Sequence, residues 1–329
     1  MKKGDRHLDR RNNGACPLFG RRPSIRIILA AFGLAAAGCA GPEAFRSPVS
    51  RFESGVNATA AAVGPCFAEM NRLEAETRLH EAAAQRKDWD AVRDLRPVFP
   101  PETIRLRLDA LSLVARYARL LDDLASSKAA GELEKDATAF RDDVGGLLKT
   151  AGSLAKGSDA GAVETLSGLV GPFTTLVEVV GKVLIEIRLN GAIREGILAG
   201  ERPIAAIVDL LGKDAETATT LKEADLSAML AARLRLYNEA RKKASPAEVV
   251  AMIEEIGRLN DVLQAIRAAR IGSLFREMRE AHAALAKFAR EGRPPRNAAE
   301  LAGRIDVFAE HAKLVGEAVR AARTIRRSP

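Results

Sequence analysis

The sequence predicts an all-α protein: an elongated antiparallel up-and-down bundle of about eight helices, several of them long. Three observations lead there. Aromatic residues make up only 4% of the 329 residues, while Ala, Leu, Arg and Glu, all good helix formers, are abundant. Apolar residues recur at steps of three and four, the repeat of one helix face. Alternating runs of β-branched residues, the mark of half-buried strands, are missing. Short connections between such helices make sequential ones antiparallel neighbours.

In chain order, Ser47-Pro48 first reads as an N-cap with proline in the first turn. Val49, Phe52, Val56, Ala60, Val63, Phe67, Met70 and Leu73 then mark one face of a first helix. Gly64-Pro65 is expected to kink or break it, because proline removes a backbone donor. The stretch from Asp88 to Pro101 carries Trp89 and three prolines and reads as a loop across one end of the bundle. Trp89 is expected to cover that end, and it is a candidate partner contact. Pro101-Glu102 opens a second helix with Ile104, Leu108, Leu111, Val114, Leu121 and Leu124 on its buried face. Leu133, Ala137, Phe140, Val144, Leu147 and Leu148 mark a third.

Residues 161–198 form the most apolar part of the chain beyond the N-terminal segment, with a wide helical face running from Leu166 to Ile187. Glu178, Lys182 and Glu186 lie four apart and form a charged stripe, which argues against a lipid-spanning helix. The expectation is a central bundle helix with its own Gly171-Pro172 break. Gly200 to Pro203 is expected to end it. A short helix over 204–211 closed by Gly212 comes next, then a longer one through Leu226, Leu230, Leu234 and Tyr237.

Ser245-Pro246-Ala247-Glu248 combines an N-cap, a first-turn proline and a capping-box glutamate. The helix it starts is expected to run to about Glu291, roughly 65–70 Å if unbroken, with Gly257 and Gly272 as weak points. Asn297 and Glu300 suggest another capping box. Leu301, Ile305, Phe308, Ala312, Val315, Val319 and Ala322 then alternate strictly in steps of four and three, the seam of antiparallel bundle packing.

The N-terminal segment has a different composition. Arg21, Arg22 and Arg26 precede or enter a 12-residue apolar run, Ile27 to Gly38. A membrane-spanning helix needs about 20 apolar residues, so this is a secretory signal region. Ala36-Ala37-Gly38-Cys39 resembles the lipobox of bacterial lipoproteins. The resemblance covers about 15 residues and departs from the commonest pattern, with Ala36 where Leu usually stands. It implies cleavage between Gly38 and Cys39, a diacylglyceryl group on the Cys39 thiol, and an acylated new amino terminus. Two or more acyl chains hold a protein firmly at a membrane. Ala40 in place of Asp resembles the outer-membrane sorting signal of enterobacterial-type lipoproteins. The implied layout is a removed leader (1–38), a lipidated tether without fixed structure (39–46) and one bundle domain (47–329). A split into sub-bundles 47–155 and 156–329 is the alternative.

Charge and chemistry narrow the function. The chain carries +8, but residues 1–38 hold eight Lys/Arg and two Asp/Glu, leaving +2 on the rest. That is no footprint for nucleic acid. Past the leader there are three histidines, His80, His282 and His311, in no metal-ligand motif. With Cys39 lipidated, Cys66 is the one remaining cysteine and reads as a small buried hydrophobe. No nucleophile elbow, phosphate loop or dinucleotide fingerprint occurs. The acid pairs Asp122-Asp123 and Asp142-Asp143 read as solvated faces. Arg320, Arg323, Arg326 and Arg327 gather on the final turns, where cations offset the helix dipole; they are candidate contacts for an anionic surface. The expectation is a non-enzymatic, lipid-anchored scaffold, tether or accessory subunit of the cell envelope. It would need no cofactor or metal and would engage an envelope protein partner. A periplasmic bundle binding a small ligand or metal, and a membrane-active helical protein, are the alternatives.

Overall fold

The structure, a computed structural model, describes residues 43–85, 88, 90, 100–126, 128–155, 160–186, 192–291 and 295–327. Among them lie α1 (Glu43–Gln85), α2 (Pro101–Ala125), α3 (Ala130–Ala155), α4 (Ala160–Glu186), α5 (Ala192–Ala240), α6 (Pro246–Ala269), α7 (Ile271–Glu291) and α8 (Pro295–Arg327). No strand occurs among the described residues, and the chain is an all-α helical bundle. Residues 40–329 form one compact unit.

Proline interrupts these helices less than local propensity suggests. α1 runs through Pro48 and Pro65, and α5 runs through Pro203 and Gly212 for 49 residues. α4 runs through Gly171 and Pro172 likewise, so the expected breaks at Gly64-Pro65, Gly171-Pro172, Gly200–Pro203 and Gly212 are absent. The reason is tertiary. Val63 and Phe67 flank Pro65 and are both buried, and Ile197, Ile204 and Ile207 around Pro203 are buried in the same way. Burying large apolar side chains such as these yields about 1.5–3 kcal/mol each, which outweighs one lost backbone hydrogen bond. The start of α1 is corrected likewise: residues 43–46 are helical rather than part of a tether, because Phe45 is buried edge-on against Phe288, with ring centroids 5.2 Å apart.

The central helix is α5, which packs against α1, α2, α4, α6 and α7. The more apolar α4 packs chiefly against α3 and α5, and its Val170 is exposed. Position, not hydrophobicity, decides which helix is touched from several sides. Along α5 run α6 and then α7, both antiparallel to it. Arg233 pairs with Glu255 and Arg267 with Glu223; farther along, Arg279 pairs with Asp209 and Arg290 with Glu201. The single long helix expected from Pro246 is thus two, broken at Arg270. This residue takes a left-handed conformation (φ 41°, ψ 48°), and its carbonyl accepts from the Ser273 and Leu274 amides to start α7. The break lies two residues before Gly272.

Helix α6 starts as its sequence predicts. The Ser245 hydroxyl accepts from the Glu248 amide at 3.4 Å, and the Glu248 carboxylate accepts from the Ser245 amide at 2.7 Å. The Ser245 amide, and the Ser245 hydroxyl at 2.8 Å, both donate to the Glu248 carboxylate and hold it below its usual range. α8 differs from expectation. It begins at Pro295, so Asn297 lies inside it and is not the cap.

The two terminal helices close the bundle by running parallel. Arg51 pairs with Asp306 at 2.6 Å, Gly55 meets the Phe308 ring, and Ala62 lies by Gly316. A methyl at Gly55 would stand 2.5 Å from the Phe308 ring edge, so this approach requires glycine.

Most inter-helix ion pairs are half exposed and contribute about 0–1 kcal/mol each. Arg107 and Asp214 differ. They join α2 to α5 at 2.8 Å with side chains 9% and 16% exposed, and Arg107 also donates to the Thr103 carbonyl. Removing the carboxylate leaves a cation with poor access to water. Asp214→Ala should destabilise the protein by about 3 kcal/mol in denaturant titration, and Asp306→Ala by less than about 1 kcal/mol. Equal losses would show that burial of the Arg107 pair carries no extra weight.

Candidate functional site

The polar centre of the bundle is built where α2, α5 and α7 meet. Tyr117 sits on the buried stripe of α2, between Val114 and Leu121, and His282 on that of α7, between Met278 and Leu285. Both are 1–2% exposed. The Tyr117 hydroxyl lies 3.0 Å from His282 Nε2 and 3.1 Å from the Gly196 carbonyl of α5. A phenol has one proton to donate. The network closes when neutral His282 donates from Nε2 to the phenol oxygen and the phenol donates to Gly196. Phe52 of α1 adds a tilted ring contact to His282 at 5.6 Å.

Burial sets the electrostatics of this centre. It pulls the His282 imidazole down to about 4 and pushes the Tyr117 phenol well above its ordinary value. Both rings are therefore neutral near neutral pH. A tyrosine–histidine pair can relay a proton when it faces a substrate. This one is enclosed by side chains, and its chemistry is structural: it fixes the register of three helices. Gly200 makes the approach feasible. A methyl there would stand 2.1 Å from the Tyr117 hydroxyl oxygen.

A second polar cluster lies where α1 meets the end of α2. Asp123 is buried and pairs with Lys128 at 2.5 Å. Burial raises the carboxyls of Asp122 and Glu53; Asp123 adds to the first, and Asp122 to the second. The expectation that Asp122-Asp123 forms a solvated face is corrected for Asp123. No group of three or more His, Cys, Asp and Glu among the described residues is arranged to hold a metal ion.

His311 joins α8 to the break between α6 and α7. Its Nδ1 lies 2.7 Å from Glu277 and its Nε2 3.2 Å from the Ala269 carbonyl. The other sequence-derived positions are only partly described. Gly38, Cys39 and Trp89 lie outside the described residues, as do the side chains of Cys66 and His80. Arg320 is exposed on α8; Arg323, Arg326 and Arg327 come after it on the same helix, with side chains outside the described residues. No described helix is long and apolar enough to cross a membrane. Sequence reasoning missed Tyr117. The available signal was a tyrosine inside an apolar stripe, since a buried phenol must find a hydrogen-bond partner.

The chain matches no family model, no curated protein and no solved structure.

Two measurements probe this centre. Gly200→Ala should cost about 1–3 kcal/mol by overpacking, and less in a Tyr117→Phe background. Equal costs in both backgrounds, read by a double-mutant cycle in urea, would show that the hydroxyl does not fill this space. His282 sets a pH dependence. The unfolded chain protonates it near 6.5, the folded protein near 4. Between these values the unfolded state holds the extra proton, so stability falls as pH falls. His282→Gln should remove about 3 kcal/mol of this dependence between pH 7 and 4. Parallel stability–pH curves for the two proteins would contradict it. The raised Glu53 and Asp122 act with opposite sign and are common to both proteins.

Proposed function

We propose that this chain is a lipid-anchored, non-enzymatic helical protein of a bacterial cell envelope, acting as a scaffold, tether or accessory subunit for an envelope partner. The observation that carries the reading is the order of the N-terminal residues: Arg21, Arg22 and Arg26, the apolar run from Ile27, then Gly38 and Cys39. This order suits export, cleavage and acylation at one cysteine. The described helices support a positional role. α1 begins at Glu43, four residues after Cys39 in sequence, and Phe45 is already packed in the core. A domain joined so closely to acyl chains is held at the membrane surface while its long helices carry other surfaces away from it. The enclosed Tyr117–His282 pair is consistent with a scaffold. Ala40 favours the outer membrane, facing the periplasm.

The test is the mass of the protein recovered from the membrane fraction of a diderm host. An acylated chain starting at Cys39, lost in Cys39→Ser, is the expected result. An unmodified soluble chain would overturn the anchor and favour a periplasmic ligand-binding bundle.

A further inference from the structure

His311 reaches from α8 across the break between α6 and α7, and both of its ring nitrogens face acceptors. Nδ1 lies 2.7 Å from a Glu277 carboxylate oxygen of α7, and Nε2 lies 3.2 Å from the Ala269 carbonyl at the end of α6. A carboxylate and a backbone carbonyl only accept hydrogen bonds. A neutral imidazole carries one N–H, so it serves one of these partners and turns a lone pair toward the other. Both bonds form only when the His311–Glu277 pair holds one more proton. The two side chains are 16% and 24% exposed, so water offers little in place of a lost bond.

The position of this histidine gives that proton a mechanical role. Arg270, left-handed at φ 41° and ψ 48°, ends α6. The last carbonyls of a helix lack the amides of a following turn. His311 supplies the donor for that of Ala269, a buried residue. The same ring holds Glu277, in the second turn of α7, so one side chain of α8 fastens both sides of the break. Beyond the break the hold is weak. No residue between 230 and 261 is fully buried, and α6 adds only Val262, Leu263 and Ala269 to the interior. When the extra proton leaves, the remaining N–H stays with the charged carboxylate, the stronger acceptor, and the Ala269 carbonyl loses its donor.

The other charged groups at this level are paired elsewhere or exposed. On α7, Glu280 pairs with Arg304 and Arg276 is exposed; on α6, Arg267 pairs with Glu223 and Arg270 is exposed; on α8, Glu310 and Lys313 are exposed. α1, also packed on α8, has no charged residue between Glu53 and Glu69.

We propose that His311 is a proton-operated clasp on the α6–α7 hinge: with the extra proton it fastens the last turn of α6 to α8, and without it that turn is released. The clasp closes as pH falls and opens as pH rises, over the range in which imidazoles exchange protons. It does not depend on the lipid anchor.

Amide hydrogen exchange of the full chain between about pH 5 and 9 tests it. Protection is corrected for the intrinsic pH dependence of exchange. It is read for residues 263–269 relative to 274–289, because His282 acts on the whole bundle. As pH rises, the relative protection of 263–269 should fall at least about fivefold. His311→Ala should remove the step and leave this turn weakly protected throughout. Glu277→Gln should remove the step in the opposite way. A glutamine amide donates to Nδ1, so a neutral imidazole can serve both partners, and the turn should stay protected at every pH. Ring-nitrogen NMR on the parent chain should find both His311 nitrogens protonated in the closed state and one in the open state. A parent whose relative protection ignores pH, a step that survives either substitution, a Glu277→Gln chain no better protected than His311→Ala, or a single ring proton at every pH would each overturn the proposal.

Discussion

The bundle depends on the closeness with which α2, α5 and α7 meet at one hydroxyl group. Tyr117 reaches into the first turns of α5, where Gly196 supplies a carbonyl and Gly200 supplies space. His282 completes the contact from α7. Apolar faces alone let helices slide by a turn at little cost, since one aliphatic side chain replaces another. A buried hydroxyl and imidazole that satisfy each other allow only one register, because any slip leaves polar groups buried without partners. With α5 fixed against α2 and α7, α4 is set by its packing on α5, α1 by its packing on α2 and α8, and α6 by its packing between α5 and α8.

The register has consequences along the whole of α5. The same antiparallel alignment runs from Arg290–Glu201 at one end to Arg233–Glu255 near the other. The helix that accompanies α5 is broken at Arg270, where His311 of α8 reaches the Ala269 carbonyl and Glu277. Inside the break, α7 packs between α5 and α8 and buries a full face. Outside it, α6 buries little of its length. One left-handed residue thus separates the part of the hairpin that builds the core from the part that displays a surface.

Much of the local structure was legible in the residues. The helix starts at Pro101 and Ser245 were readable, because their signals are local: a proline in the first turn, a serine facing a glutamate three residues on. The buried faces of α2, α3 and α8 were readable from steps of three and four. The proline and glycine breaks were misread for a common reason. Local propensity counts the lost backbone bond at Pro65 or Pro203, while the packing that offsets it comes from helices distant in sequence. Phe45 is the same case, since nothing nearby announces Phe288. The burial of Asp123 was hidden because its surroundings are assembled from α1 and α2.

The sequence by itself determined the all-α class, which residues of most helices turn inward, and the N-terminal pattern on which the proposed anchor rests. These are written in periodicity, composition and short motifs, all properties of neighbouring residues. The tertiary structure decided that α5 rather than α4 is central, that α1 and α8 close the bundle in parallel, and that Tyr117, His282 and Gly196 share one hydrogen-bonded centre. Those outcomes depend on which faces meet. That is set by close packing and polar satisfaction between residues up to 255 positions apart, a range over which no sequence pattern carries the information.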